Sequence, residues 1–286
     1  MTDRIFLHVG PHKTGTTAIQ RALSRTPGIV YPAVPAMGPG HALAAWEAIG
    51  AEGRTADPDR LVRIVAEAGR PGAPLVLSAE DFCRAAMPGH DAEALRRLAA
   101  AHPVALVVTL TPLVRRLPSM AQEMVKHGTV LDLRSEADLR ALMAREAGLQ
   151  PDLPERLAAL APWAHMHFVL ADAARPRRLF AGFSRLLGVP VAPDPADGAY
   201  ENRRWPYAAI AIQARLNEIA VGLDRTQVRI AGRDAAEAAL RSMPRLAALP
   251  YPPLPAPLAR ELAAIWRRQL ARIRGWVREG RATLYR

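Results

Sequence analysis

Apolar residues recur along this chain in two registers. Short continuous aliphatic runs at Ile5–Val9, Pro74–Ser78, Val104–Leu110 and His167–Leu170 are bounded by Gly, Pro or polar turns, which predicts buried strands. Gly28–Pro32 predicts one more short strand. Between the runs, apolar positions return at helical spacing, as at Leu61, Ile64, Val65 and Ala68 in the segment Asp59–Ala68. The same pattern predicts helices over Thr17–Ser24, His41–Ile49, Asp91–Ala101 with Asp91 as N-cap, Leu113–Lys126, Pro154–Ala161 and Arg175–Leu187, the last closed by Gly188 and Pro190. Residues 131–148 read as polar loop followed by helix.

Strands and helices therefore alternate over the first two-thirds of the sequence. This order predicts an α/β fold, a three-layer α/β/α arrangement with a mainly parallel sheet and right-handed crossovers. From Ala192 to Trp205 the chain is loop-like; Pro206–Val221 and a last segment with Leu258, Leu262, Ile265, Leu270, Ile273 and Val277 read as helices. Residues 1–286 are expected to form a single domain, with the sheet-bearing core in 1–190 and a loop and helical C-terminal part in 191–286 packed on it.

The junction after the first strand carries the most chemistry. Gly10 and Gly15 stand four residues apart and are followed by Thr16 and Thr17, close to the nucleotide P-loop pattern G-x-x-x-x-G-K-[ST], with Thr17 at the Ser/Thr position. A loop of this kind opening a helix directs backbone N–H groups at an anion. The lysine is displaced: Thr16 occupies the P-loop lysine position, and Lys13 lies inside the loop. A triphosphate with Mg²⁺ is therefore disfavoured, and with it a P-loop kinase; one 5′-phosphate bearing a further group fits better. Past the strand 74–78, Glu80 lies where open α/β sheets gather ligand chemistry, and it is the best general-base candidate, although capping of the next helix competes as its role.

Charge and composition narrow the field modestly. The net charge of +11 and isoelectric point near 10.9 favour anionic partners, without a recognisable nucleic-acid-binding signature, so no nucleic acid is expected. The arginines around the last helix read as a solvated face, with peripheral membrane contact a weaker alternative. Cys83 is the single cysteine, which excludes a disulfide framework and reads as a small buried hydrophobe. There is no secretory signal pattern and no apolar run of the ~20 residues a membrane helix needs, so a cytoplasmic location is the default. No metal site is expected: His8 and His12 straddle a strand and a loop, and His165 and His167 lack a third ligand nearby.

The stretch Phe6-Leu7-His8-Val9-Gly10-Pro11-His12-Lys13-Thr14-Gly15-Thr16-Thr17-Ala18-Ile19-Gln20 resembles the 5′-phosphosulfate loop of sulfotransferases that use 3′-phosphoadenosine 5′-phosphosulfate (PAPS), particularly their bacterial branch. The resemblance implies a P-loop nucleotide-binding fold and transfer of a sulfuryl group from PAPS, as co-substrate, to a hydroxyl or amine. It implies donor binding by His12, Lys13, Thr14, Gly15, Thr16 and Thr17, with Lys13 also catalytic and Glu80 as base. Ser-x-Glu at Ser78–Glu80 is similar to the family's strand end, and His41–Ala44 and Asn217 match family-like positions. His41 is read as a helix-capping or surface residue before an acceptor-facing one. For the 3′-phosphate, Ser119 stands at the family's serine, but Thr111 replaces its arginine; Arg115 or Arg116 is expected to substitute, helped by Asn202 and Arg203 of a basic loop. The acceptor, a glycan or small molecule, and the oligomeric state are not legible. A non-catalytic nucleotide-binding or interaction module on the same fold stays open because of Thr111.

Overall fold

The computed structural model describes residues 4–34, 38–172, 175, 177–193, 205–219 and 249–285, with isolated positions between 230 and 245. Asn202 and Arg203 lie outside the described residues, as does part of the 33–40 loop. The chain divides into two compact units, one of residues 1–111, 147–198 and 266–286 and one of 112–146 and 199–265. The expected boundary at residue 190 falls within the first of these.

The first unit holds the sheet. Its strands are β1 (Ile5–His8), β2 (Leu75–Ser78), β3 (Val104–Leu110), β4 (His165–Leu170) and β5 (Ala282–Tyr285), in the order β2-β1-β3-β4-β5 and all parallel. In register, Ile5 lies opposite Leu75 on one side and Val104 on the other, and Met166 lies opposite Ala282. Alternate residues face opposite layers, so both faces must be covered. Phe6, Val76, Ala105, Val107 and Val169 pack against α1 (Thr16–Arg25) and α8 (Arg177–Leu187) through Ile19, Leu23, Leu179 and Phe183. Ile5, Leu7, Leu75, Leu77, Leu106 and Phe168 pack on the other face against α2 (Ala42–Ile49), α3 (Arg60–Ala68), α4 (Glu93–Ala101) and α7 (Leu153–Leu160). Ile273 and Trp276, from the C-terminal half of the last helix, join this second layer. The three-layer α/β/α fold and the helical C-terminal region are as the sequence predicts.

The second unit contains α5 (Leu113–Lys126), α6 (Glu136–Arg145) and α9 (Tyr207–Ile219), and the 23-residue helix α10 (Ala256–Arg278) begins there and ends in the first. Asn217 Nδ2 donates to the carbonyls of Val125 and Thr129, both at 2.9 Å, pinning the turn after α5. Ser135 caps α6, its hydroxyl accepting the Asp138 amide.

Three expectations change. Gly28–Pro32 is not a strand of its own: Val30 makes one isolated bridge to Leu75 at the outer edge of β2, because a short segment ending at Pro32 has few amides to offer. The strand at 167–170 begins two residues earlier and is not the last, since β5 adds to it from the far end of the chain. Four residues with only Leu284 and Tyr285 as large apolar side chains give little periodic signal. Val277 departs from the expected apolar stripe of the last helix, being 37% exposed.

Candidate functional site

The chain leaves β1 toward β2 on one side of it and returns as β3 on the other, so the carboxyl ends of β1 and β3 open a crevice between diverging connections. The loop 9–15 spans that crevice. Gly10 starts it with φ 76°, after which the Gly10–Pro11 peptide is cis, and Lys13 follows at φ 64° and Gly15 at φ 86°. Gly10 is needed for space as well as for its dihedral: a Cβ there would lie 2.8 Å from the Glu80 Cα. The first loop residue and the strand-end carboxylate residue are thus in backbone contact.

Threonines then tie the loop down. Thr109, near the end of β3, donates both its amide and its hydroxyl to the Gly10 carbonyl, each at 2.8 Å. The Thr14 hydroxyl donates to the Pro11 carbonyl at 2.7 Å and lies 2.5 Å from the Thr109 hydroxyl. The Thr14 side chain, 2% exposed, therefore shapes the loop from beneath. Gly15 occupies the N-cap position of α1 and supplies no side-chain cap. The amides of Thr14, Gly15, Thr16, Thr17 and Ala18 donate to no group among the described residues. These converging donors, at the positive end of α1 and beside the Lys13 backbone, form a cradle for an anion.

Glu80 closes one wall of the cradle. The Thr16 hydroxyl donates to its Oε1, and Gln20 Nε2, one turn along α1, reaches its Oε2 at 3.4 Å. Gln20 also approaches the Ser78 hydroxyl at 3.3 Å. Ala79 holds the N-cap position of the short 3₁₀ turn Glu80–Ala86, which has no side-chain cap; Glu80 is its first residue, with its carboxylate turned to Thr16.

Below lies a layer of buried polar groups that the sequence does not announce. His8 Nδ1 is 2.7 Å from the Ser78 hydroxyl, and Nε2 is 3.4 Å from that of Thr109. Burial pushes the His8 imidazole down to about 4 despite the nearby Glu80 carboxylate, so it is neutral at pH 7. A neutral ring fits one ordering of protons: Ser78 donates to Nδ1, Nε2–H points to Thr109, and Thr109 donates to Gly10. His41 belongs to the same layer. It is 1% exposed, accepts the Ser78 amide at Nδ1 at 2.9 Å, and donates from Nε2 to the Pro32 carbonyl at 3.0 Å. It stands at the N-cap position of α2 without capping through its side chain, and it is a core residue, neither a surface nor an acceptor-facing one.

His12 is held differently. Its Nε2 is 3.7 Å from Asp81 Oδ1, and Asp81 lies 3.4 Å from Arg84. Burial disfavours a charged His12, but the carboxylates of Asp81 and Glu80 outweigh it and raise its pKa above the ordinary value, with Lys13 opposing them. Asp81 is likewise held below the usual carboxylate range: burial opposes its ionisation, and His12 and Arg84 overcome that. The two histidines four residues apart thus have separate partners, and among the described residues no three His, Cys, Asp or Glu side chains gather as metal ligands.

The second group of expected donor residues is in the other unit. Thr111 ends the first unit 9% exposed, its hydroxyl donating to the Ala171 carbonyl at 3.0 Å. On α5, Arg115 is exposed and shares a helix face with Ser119 four residues on, whereas Arg116 is buried at 5% exposure. Of the two candidate substitutes, Arg115 is the one on the serine's face.

Gln20, Thr109 and Asp81 are residues of the candidate site to which sequence reasoning gives no role, and Ser78 enters it only through the Ser-x-Glu resemblance. Gln20 carries a usable signal, being four residues after Thr16 on a helix opening at the loop. Comparison with protein-family models and with curated proteins finds no match to this chain.

Proposed function

We propose that the chain is a sulfotransferase that moves a sulfuryl group from PAPS to a hydroxyl or amine. One observation carries this reading: the strand-end carboxylate Glu80 is hydrogen-bonded to Thr16, a residue of the open-amide cradle, so a base and an anion site adjoin. In this mechanism the amides of Thr14–Ala18 receive the 5′-phosphate. The acceptor oxygen or nitrogen attacks sulfur in line, the bond from sulfur to the bridging phosphate oxygen breaks, and the acceptor proton passes to Glu80. Lys13, and His12 when protonated, neutralise charge gathering on the sulfuryl and leaving oxygens. The departing molecule is adenosine 3′,5′-bisphosphate. Only the family resemblance offers Arg115 and Ser119 for its 3′-phosphate.

Isothermal titration with adenosine 3′,5′-bisphosphate tests the donor site: saturable binding is expected, weakened about tenfold or more by Lys13→Ala through loss of a charge-assisted contact. Folded protein that does not bind, or a variant identical to the parent, sinks the assignment. Glu80→Gln is expected to keep nucleotide binding and lower kcat for ³⁵S transfer by about 10²–10⁴. A specific feature supports a second reading, a nucleotide-binding module without transfer: the Thr111 hydroxyl is committed to Ala171 and replaces a charged donor. Binding without label transfer to any component of a cell extract would favour it.

A further inference from the structure

The two edges of the sheet are finished differently. At the outer edge of β2 the chain covers itself: the Val30 amide donates to the Pro74 carbonyl at 2.8 Å, and the Val76 amide to the Val30 carbonyl at 2.9 Å. At the other edge β5 pairs with β4 alone, and no described residue bridges its outer side. An open edge presents a row of unpaired amides and carbonyls to any extended chain.

The ground beside that edge is shaped and charged. A groove of about 610 Å³ is lined by Leu284 of β5 and by Ala271, Arg274, Val277 and Arg278 of α10. Leu284 also packs against the core on the α10 face of the sheet, so this groove continues the helix layer past the last strand. At 100° per residue, positions 267, 271, 274 and 278 fall within an arc of roughly 60°, a row of three arginines with Ala271 between them. The acidic residues of α10 and the turn after it, Glu261 and Glu279, lie off this row. Several exposed arginines elsewhere are neutralised, Arg63 by Asp57, Arg97 by Asp59 and Arg156 by Asp152, and Arg281 pairs with Glu279 at 3.3 Å, while Arg70, Arg177, Arg178, Arg260 and Arg268 are exposed without an ion pair among the described residues. Arg267, Arg274 and Arg278 have no ion pair or hydrogen bond among the described residues.

We propose that the β5 edge is a docking site for an extended acidic peptide segment of a partner protein, which adds as a sixth strand and sets its carboxylates on Arg274 and Arg278. The strand supplies main-chain hydrogen bonds, and the apolar strip of Ala271, Val277 and Leu284 takes alternate side chains. A second copy of the chain is disfavoured by charge, since pairing two β5 edges would gather the unpaired Arg274 and Arg278 of both copies along one seam. A single-stranded nucleic acid site would present aromatic platforms, and the groove lining has none. This inference is independent of the donor site.

The test is fluorescence anisotropy with a labelled eight-residue peptide of alternating Glu and Val. Saturable binding is expected, lowered at least tenfold in the R274E/R278E variant and lowered similarly when alternate peptide amides are N-methylated, which blocks strand addition while keeping the charge. The same variant is expected to gain affinity for the Lys/Val counterpart, and thermal melts of this exposed-site variant check that it is folded. Lys13→Ala should leave peptide binding unchanged. No binding at millimolar peptide overturns the proposal. So do equal binding of the N-methylated peptide and tighter binding to phosphatidylserine vesicles or to a heparin oligosaccharide.

Discussion

At the level of single residues, the site depends on how two histidines four positions apart are treated. His8 is sealed in and neutral, while His12 sits between Asp81 and Glu80 with its pKa raised. A raised histidine keeps its charge up to a higher pH, so the stabilising interaction with Asp81 is fully present below 6.5 and is lost as pH rises through the folded-state value. The cradle loses one positive charge over the same interval. Affinity for adenosine 3′,5′-bisphosphate should therefore fall as pH is raised above 6.5, and His12→Gln should flatten that profile; a parent profile as flat as the variant's would exclude a role for His12. Thr109 makes a separate prediction. Thr109→Val keeps the shape of the side chain but removes the hydroxyl on which Gly10, Thr14 and His8 converge, leaving buried groups unpaired at a cost of about 1–3 kcal/mol. Urea unfolding measures it, and an unchanged midpoint would contradict the bond pattern.

At the level of elements, the working unit is β1, its loop and α1 set against the carboxyl ends of β2 and β3. Gly10 is the closest point of this assembly. Gly10→Ala must place a Cβ at φ 76° and 2.8 Å from the Glu80 backbone, combining left-handed strain with overpacking, for a loss of about 2–4 kcal/mol. Because the clash is with Glu80 itself, the variant should also lose ³⁵S transfer beyond what its residual folded fraction explains. Activity that merely tracks the folded fraction would show that the two backbones can separate harmlessly. The helix that the sequence predicts over 17–24 is found at 16–25, and α5 is found at its predicted bounds. Both have strong apolar periodicity and clear neighbours in the form of glycine or proline. Gly28–Pro32 is over-read as a strand and β5 is missed because a strand this short is defined by its partner, which lies about 45 residues away in one case and more than a hundred in the other.

For the molecule as a whole, the buried imidazoles govern how it meets acid. Burial holds His8 at about 4 and His167 at about 4, the latter also opposed by His165 and Arg4. Between 6.5 and these values the unfolded chain binds protons that the folded chain refuses, so stability falls as pH falls through this window. Full protonation of either group costs about 3 kcal/mol, a large share of a domain's net stability. Unfolding midpoints should therefore drop steeply between pH 6.5 and 4, and His167→Phe should reduce the slope; a midpoint constant over that range would refute the burial argument. No helix among the described residues is long and apolar enough to cross a membrane.

What the amino-acid order determined by itself is local: strand runs, helix stripes, the two glycines bracketing Lys13, and the hydroxyls after Gly15. Each depends on neighbours within a few positions, where backbone dihedrals and 3.6- or 2-residue periods act directly. The order of elements also sufficed for the α/β/α layering, since alternating strands and helices leave few ways to cover both sheet faces. Tertiary structure alone decided what those pieces do together. Thr16 meets Glu80 from 64 residues away and Gly10 meets Thr109 from 99, so burial and hydrogen-bond satisfaction over the whole sheet chose their partners. The same long-range pairing turned Thr14 inward to shape the loop, committed the Thr111 hydroxyl to Ala171, and brought residues 282–285 to the open edge of a sheet whose first strand is at the other end of the chain.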